Sequence, residues 1–190
     1  MKKLFAITSL ALLTSTAFAA EAGKTDTGLD YNEASVSYVS LENQSVTYTG
    51  YAVNATDLLS ENFFIGGIYS SVEKSTTSIS STSGSVGYRM PIASNVDGYA
   101  TVGYASSTAK TTSSKTSDSY PLALGIRAAV TPDIDVRASV NYTEATDAQT
   151  GFSAGFKYKF NNNMFANGGY VYSKGDSAFT TYTLGVGIKF

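Results

Sequence analysis

The sequence predicts an all-β protein: a transmembrane antiparallel β-barrel of about ten strands, preceded by a cleaved signal peptide. Three observations predict it. Apolar and polar residues alternate with a period of two along much of the 190-residue chain. The alternating stretches are about nine to eleven residues long, the length a tilted strand needs to cross a bilayer. Tyr and Phe, 14 and 10 in the whole chain, concentrate near the ends of the alternating stretches, where amphipathic rings suit a membrane interface.

The chain opens with Met1-Lys2-Lys3, a basic start, followed by an apolar run from Leu4 to Leu13. Ala17-Phe18-Ala19 then places small residues at the −3 and −1 positions of a cleavage site. Residues 1–19 are therefore expected to be a signal peptide, residues 20–29 a short periplasmic leader, and residues 30–190 the barrel. Losing Lys2 and Lys3 leaves 11 basic against 15 acidic residues, a net charge of −4. That balance indicates no nucleic-acid partner. The only later apolar run, from Leu122 to Val130, is broken by Arg127, so a helical membrane span is excluded.

Strands are expected at about 30–40, 46–55, 63–71, 85–91 and 98–105. The faces of the second and third stay open, because Tyr48 and Tyr51, and Phe63 and Phe64, fall on opposite parities. A strand over 120–130 sets Tyr120, Leu122, Leu124, Ile126, Ala128 and Val130 on one face. The next sets Ile134, Val136, Ala138, Val140 and Tyr142 against Asp135, Arg137, Ser139 and Asn141. Phe152, Ala154, Phe156, Tyr158 and Phe160 alternate with Ser153, Gly155, Lys157 and Lys159. A ninth strand is expected over 164–173. The last sets Tyr182, Leu184, Val186, Ile188 and Phe190 against Thr183, Gly185, Gly187 and Lys189. If the first hairpin (30–55) is misread, the count falls to eight.

The connections are expected to alternate in length. Thr131-Pro132-Asp133 and Asn161-Asn162-Asn163 read as tight turns. Residues 57–62 and 92–97 read as modest turns on the same side. Residues 71–84 and 105–119 read as long mobile loops on the other side, with nine Ser/Thr in fourteen residues and ten in fifteen. Two aromatic girdles are expected. Tyr38, Tyr69, Tyr104, Tyr120, Tyr142, Tyr172 and Tyr182 lie near the long-loop side; Tyr31, Tyr99, Tyr158, Phe160, Phe165 and Phe190 lie near the other. A sheet with one apolar face packs as a sandwich or closes with that face in lipid. Gly, Ser, Thr and charge on the second face favour closure around an aqueous lumen.

These features together resemble the small outer-membrane β-barrel proteins of Gram-negative bacteria, over nearly all of the chain after the signal peptide. The resemblance implies residence in outer-membrane lipid and assembly through periplasmic chaperones and the barrel-assembly machinery. It also implies that Tyr182, Leu184, Val186, Ile188 and Phe190 form the recognition signal for that machinery. Members of the group act as narrow porins, adhesins, surface-protection proteins or barrel enzymes.

The charges expected in the lumen are Arg89, Arg127, Arg137, Lys157, Lys159 and Lys189, with Asp135 and Glu33. Two readings stay open. The lumen is a narrow passive pore with an electropositive constriction favouring anions. Or the charges pair with Asp135, Glu33 and the turn acids Asp57, Glu61, Asp97 and Asp133, and fill a small barrel. A surface-interaction role through the Ser/Thr-rich loops, with an unknown extracellular partner, is the alternative. No enzyme, cofactor or metal site is expected. The chain has no His and no Cys, which removes the usual nucleophile–base pairs and metal ligands. Glu144 and Asp147 fall on one exposed loop and read as solvated acids.

Overall fold

A computed structural model describes Thr27, Leu29 and residues 31–44 and 46–190. The expected signal peptide and most of the leader lie outside the described residues. Ten strands follow in order: β1 (Glu33–Asn43), β2 (Val46–Leu58), β3 (Phe63–Lys74), β4 (Thr77–Ala93), β5 (Val96–Lys110), β6 (Ser114–Thr131), β7 (Ile134–Glu144), β8 (Gln149–Lys159), β9 (Met164–Lys174) and β10 (Ala178–Lys189). Each pairs antiparallel with its sequence neighbour, and β1 also pairs with β10, so the sheet closes into a barrel. The first hairpin is real, running from Glu33↔Thr56 to Asn43↔Val46, and the count is ten rather than eight.

The period of two has become an inside and an outside. Leu124, Val140 and Leu184 are 63%, 62% and 64% exposed, values an aqueous surface would punish and lipid does not. Ala123 and Ser139, beside the first two, are buried in the lumen, and Thr183 and Gly185, which flank Leu184, are half-buried. The two open parities resolve the same way. Tyr48 and Phe64 point inward and are buried, while Tyr51 and Phe63 face lipid. The end where β1 begins and β10 finishes is called the base, and the opposite end the top.

Inward aromatics are accommodated by glycine on the adjacent strand. Phe64 lies directly across from Gly87, Tyr99 from Gly125, and Phe165 from Gly187. A Cβ added at Gly87 would enter the Phe64 ring, and one at Gly187 would meet the Phe165 ring. These glycines provide floor space on which a ring lies flat, a pairing that also pins register. Tyr31, Tyr99 and Phe165 therefore leave the base girdle in which periodicity places them, and stand 1%, 5% and 1% exposed inside the barrel. Tyr158, Phe160 and Phe190 do face outward there.

The expected long loops are absent. Residues 71–84 belong to β3 and β4, which pair as far as Lys74↔Thr77, and residues 105–119 belong to β5 and β6, which pair as far as Lys110↔Ser114. Every connection is two to four residues long, on both ends of the barrel. The reason is that Ser and Thr carry strand structure when their hydroxyls find partners across it. Ser107 donates to Ser81 at 2.9 Å, Thr108 and Thr116 share a bond of 3.0 Å, and Ile79 supplies a buried apolar position among them. Seryl bias alone reads as loop; paired in register it makes β4 and β6 the longest strands, at 17 and 18 residues.

Candidate functional site: the lumen

The inward face assembles three layers. At the base lies a charged layer. Arg127 Nη2 donates to Asp135 Oδ2 at 2.7 Å, and Lys157 Nζ donates to Glu33 Oε2 at 2.6 Å. Asp135 also forms ion pairs with Lys157 at 3.4 Å and Lys159 at 3.1 Å. Arg89 Nη1 pairs with Asp97 Oδ2 at 3.0 Å, while its Nε donates to the Glu61 carbonyl at 3.1 Å. All of these side chains are buried, and Arg127 is 1% exposed. Burial of so many charges is tolerable because each ion faces an opposite one at hydrogen-bond distance.

The remaining expected lumen residues sit in the same layer. Arg137 stands across from Arg127 in register, and its guanidinium lies over Gly155, with Nε 2.6 Å from where a Cβ would stand. Lys189 stands across from Glu33 and is partly buried. Glu33, Arg89, Arg127, Asp135, Lys157 and Lys159 are buried there, and Arg137 and Lys189, half-buried, share the parity of their buried neighbours. Of the four turn acids, Asp97 is a β5 residue, fully buried, and it completes the pair with Arg89. Asp97 shares the parity of Tyr99, and the expected place of Tyr99 in the base girdle pointed Asp97 away from the lumen. Asp57 and Asp133 are exposed, and Glu61 contributes a carbonyl rather than its carboxylate. Six basic groups against Glu33, Asp97 and Asp135 leave an excess of three positive charges. The gap bounded by Glu33, Arg127, Asp135, Arg137, Lys157, Phe165 and Asn167 measures about 10 Å³, room for one water.

Sequence reasoning missed that residues just before β1 enter the base of the lumen. Thr27, Leu29 and Tyr31 are buried, and Leu29 and Tyr31 cluster with Phe64 inside the base. The Tyr31 hydroxyl donates to Asp97 Oδ2 at 2.5 Å, and the Arg127 and Arg89 guanidiniums lie 4.3 and 5.3 Å from the centre of its ring. Burial, reinforced by the Asp97 carboxylate, holds the Tyr31 phenol protonated well above its ordinary range. The signal was present: 27, 29 and 31 share the parity of Glu33.

Above the charges is a small polar layer. Asn54 donates to Ser35 at 2.8 Å, and Ser139 and Ser153 share a bond of 2.6 Å. Toward the top, Val39, Leu41, Tyr48, Ala52, Val72, Ile79 and Phe179 form a buried apolar cluster, with Val46 and Ala109 packed on it. Periodicity places no such cluster in a polar lumen. The row proposed for assembly, Tyr182, Leu184, Val186, Ile188 and Phe190, faces outward along β10, each residue 47% to 66% exposed.

The family described as the outer membrane protein beta-barrel domain matches residues 5–151. No curated protein matches the chain. Similar solved structures include the KdgM porin, 12% identical, covering 82% of this chain and 99% of that one at a TM-score of 0.49. Neisserial surface protein A is 16% identical, with 83% and 95% covered at 0.42. Ail, the attachment invasion locus protein of Yersinia pestis, is 16% identical, with 84% and 99% covered at 0.39. The family match spans well over half of the sequence, and the chain belongs to the outer membrane protein beta-barrel domain family, as a ten-stranded barrel of the bacterial outer membrane.

Proposed function

We propose that the chain is a structural outer-membrane barrel whose basic lumen is closed at rest, with its base toward the periplasm. One observation carries this reading: the lumen is filled at two separate levels, by the ion-paired layer with Tyr31 at the base and by the apolar cluster at the top. Barrels of about eight strands are filled by their own side chains, whereas porins of about sixteen hold a channel, and ten strands lie near the filled limit. The three surplus positive charges make anions the species that any residual leak would favour. A non-enzymatic role agrees with a lumen whose acids are all engaged by bases.

The test is single-channel recording of refolded protein in a planar bilayer under a salt gradient. Inserted barrels are expected to stay silent, or to flicker with an anion-selective reversal potential. Long-lived, wide openings would overturn the closed lumen. The row from Tyr182 to Phe190 is read as the strand recognised by the barrel-assembly machinery, with periplasmic chaperones carrying the exported chain there.

A second reading, interaction at the cell surface, is favoured by the shape of the top. Strand β7 pairs with β6 no further than Tyr120↔Glu144, so β6 continues six residues beyond its partner, from Ser114 to Ser119. A strand edge of that kind can accept an extended peptide. Excising residues 107–117 and closing β5 to β6 with an Asn-Gly turn should preserve insertion. Loss of cell attachment or phage sensitivity would support the surface role, and unchanged behaviour would remove it.

A further inference from the structure

The gap in the charged layer has unequal walls. Its ionised side chains are Arg127, Arg137 and Lys157 against Glu33 and Asp135. Both acids are already engaged: Asp135 by Arg127 at 2.7 Å and Lys157 at 3.4 Å, Glu33 by Lys157 at 2.6 Å. Lys159 brings a further cation to Asp135, at 3.1 Å. Asp97, the other buried acid among the described residues, is paired with Arg89 at 3.0 Å. Glycine brings Arg137 to this wall. A Cβ at Gly155 would stand 2.6 Å from its Nε, and one at Gly169, across from Gly155 in register, 3.7 Å from its Nη2. The two glycines clear a floor for the guanidinium, on the residue directly beside Arg127 in register. Arginine keeps its charge at any ordinary pH, so the layer cannot reach neutrality by losing those protons. A surplus positive charge beside Arg127 and Lys157, 1% and 2% exposed, is unfavourable unless an anion answers it.

We infer that the gap is a binding site for one small monovalent anion, chloride, which neutralises the layer from within. The remaining walls fit that ligand. Phe165 is 1% exposed and gives an apolar side. Asn167 is 8% exposed; its amide nitrogen makes one long bond, 3.5 Å to Ser35, and its oxygen makes none. An anion in the gap gives that amide an acceptor. The volume of about 10 Å³ admits one particle of about the size of water, which excludes sulfate, phosphate and sugar acids. The inference goes beyond the closed-lumen reading, because it concerns an ion that stays, whether or not others pass.

The barrel is refolded into vesicles in sodium gluconate, whose anion is too large for the gap, and chloride is substituted at constant ionic strength. The urea midpoint, read by gel mobility, should rise and saturate. At about ten times its dissociation constant, chloride should raise the folding equilibrium constant about tenfold. Asn167→Asp puts a carboxylate on the wall of the gap. Its midpoint in gluconate should match that of the unaltered barrel in chloride, and chloride should add nothing. Crystals of the unaltered barrel grown in bromide should show an anomalous signal between Arg127, Arg137 and Lys157, a result that decides the matter if Asn167→Asp does not refold. Equal midpoints of the unaltered barrel in the two salts would overturn the site. So would an equal chloride response in Asn167→Asp, the mark of a general salt effect, or a gap that holds only water in bromide. Open channels in the planar bilayer would defeat the closed lumen instead, and leave the halide dependence as it is.

Discussion

Asp135→Asn is expected to destabilise the folded barrel by about 3–5 kcal/mol, the cost of breaking a buried ion pair from one side. Asp135 is 2% exposed and receives three cations: Arg127 at 2.7 Å, Lys159 at 3.1 Å and Lys157 at 3.4 Å. Asparagine keeps the shape and removes the charge. Arg127 and Lys157 would then face each other in a buried layer with Arg137 directly beside Arg127 in register, and Glu33 alone would answer them. Urea titration of the refolded barrel in lipid vesicles, read by gel mobility, measures the loss. The double variant Arg127→Met with Asp135→Leu should lose less than the two single changes added together, because it removes both charges at once. Strict additivity would show that the pair is not coupled.

Leu124→Arg should cost about 2–4 kcal/mol, through the opposite face. Leu124 lies midway along β6, 63% exposed, with Ala100 and Val140 beside it in register. In lipid that exposure is full burial in hydrocarbon, and a guanidinium there must bend the bilayer or reach for its interface. The comparison that isolates depth is Val130→Arg, near the end of the same strand and 60% exposed. It should cost about 0–1 kcal/mol, as charges near an interface do. Equal losses at the two positions, by the same titration, would mean that this face does not meet a hydrocarbon core.

The wall was far more legible in the sequence than its contents. Period two is a local signal, and a residue such as Leu184 states its face through its immediate neighbours Thr183 and Gly185. The parity of the buried charges Glu33, Arg89, Arg127, Asp135, Lys157 and Lys159 was legible for the same reason. Three kinds of information were not. Whether a Ser/Thr run is a loop or a strand depends on the partner it meets, as Ser81 meets Ser107. Whether an aromatic faces lipid or lumen depends on a glycine across the ladder, as Phe64 depends on Gly87. And the Tyr31 contact joins residues 66 positions apart, a distance over which no periodicity speaks.

The topology has a kinetic side as well. Nine of the ten strand pairings join neighbours in the chain, and most begin across a connection of two to four residues. Such hairpins close quickly and locally. The tenth, β1 with β10, brings Glu33 to Lys189 across 156 positions, and it must wait for every other strand. Until it forms, the structure is an open sheet whose two edges each carry a row of unsatisfied backbone groups, at several kcal/mol apiece in hydrocarbon. Partial barrels are thus the least tolerable species in the membrane. Assembly within lipid is driven to be all-or-none, and the β1–β10 seam is the step at which it commits.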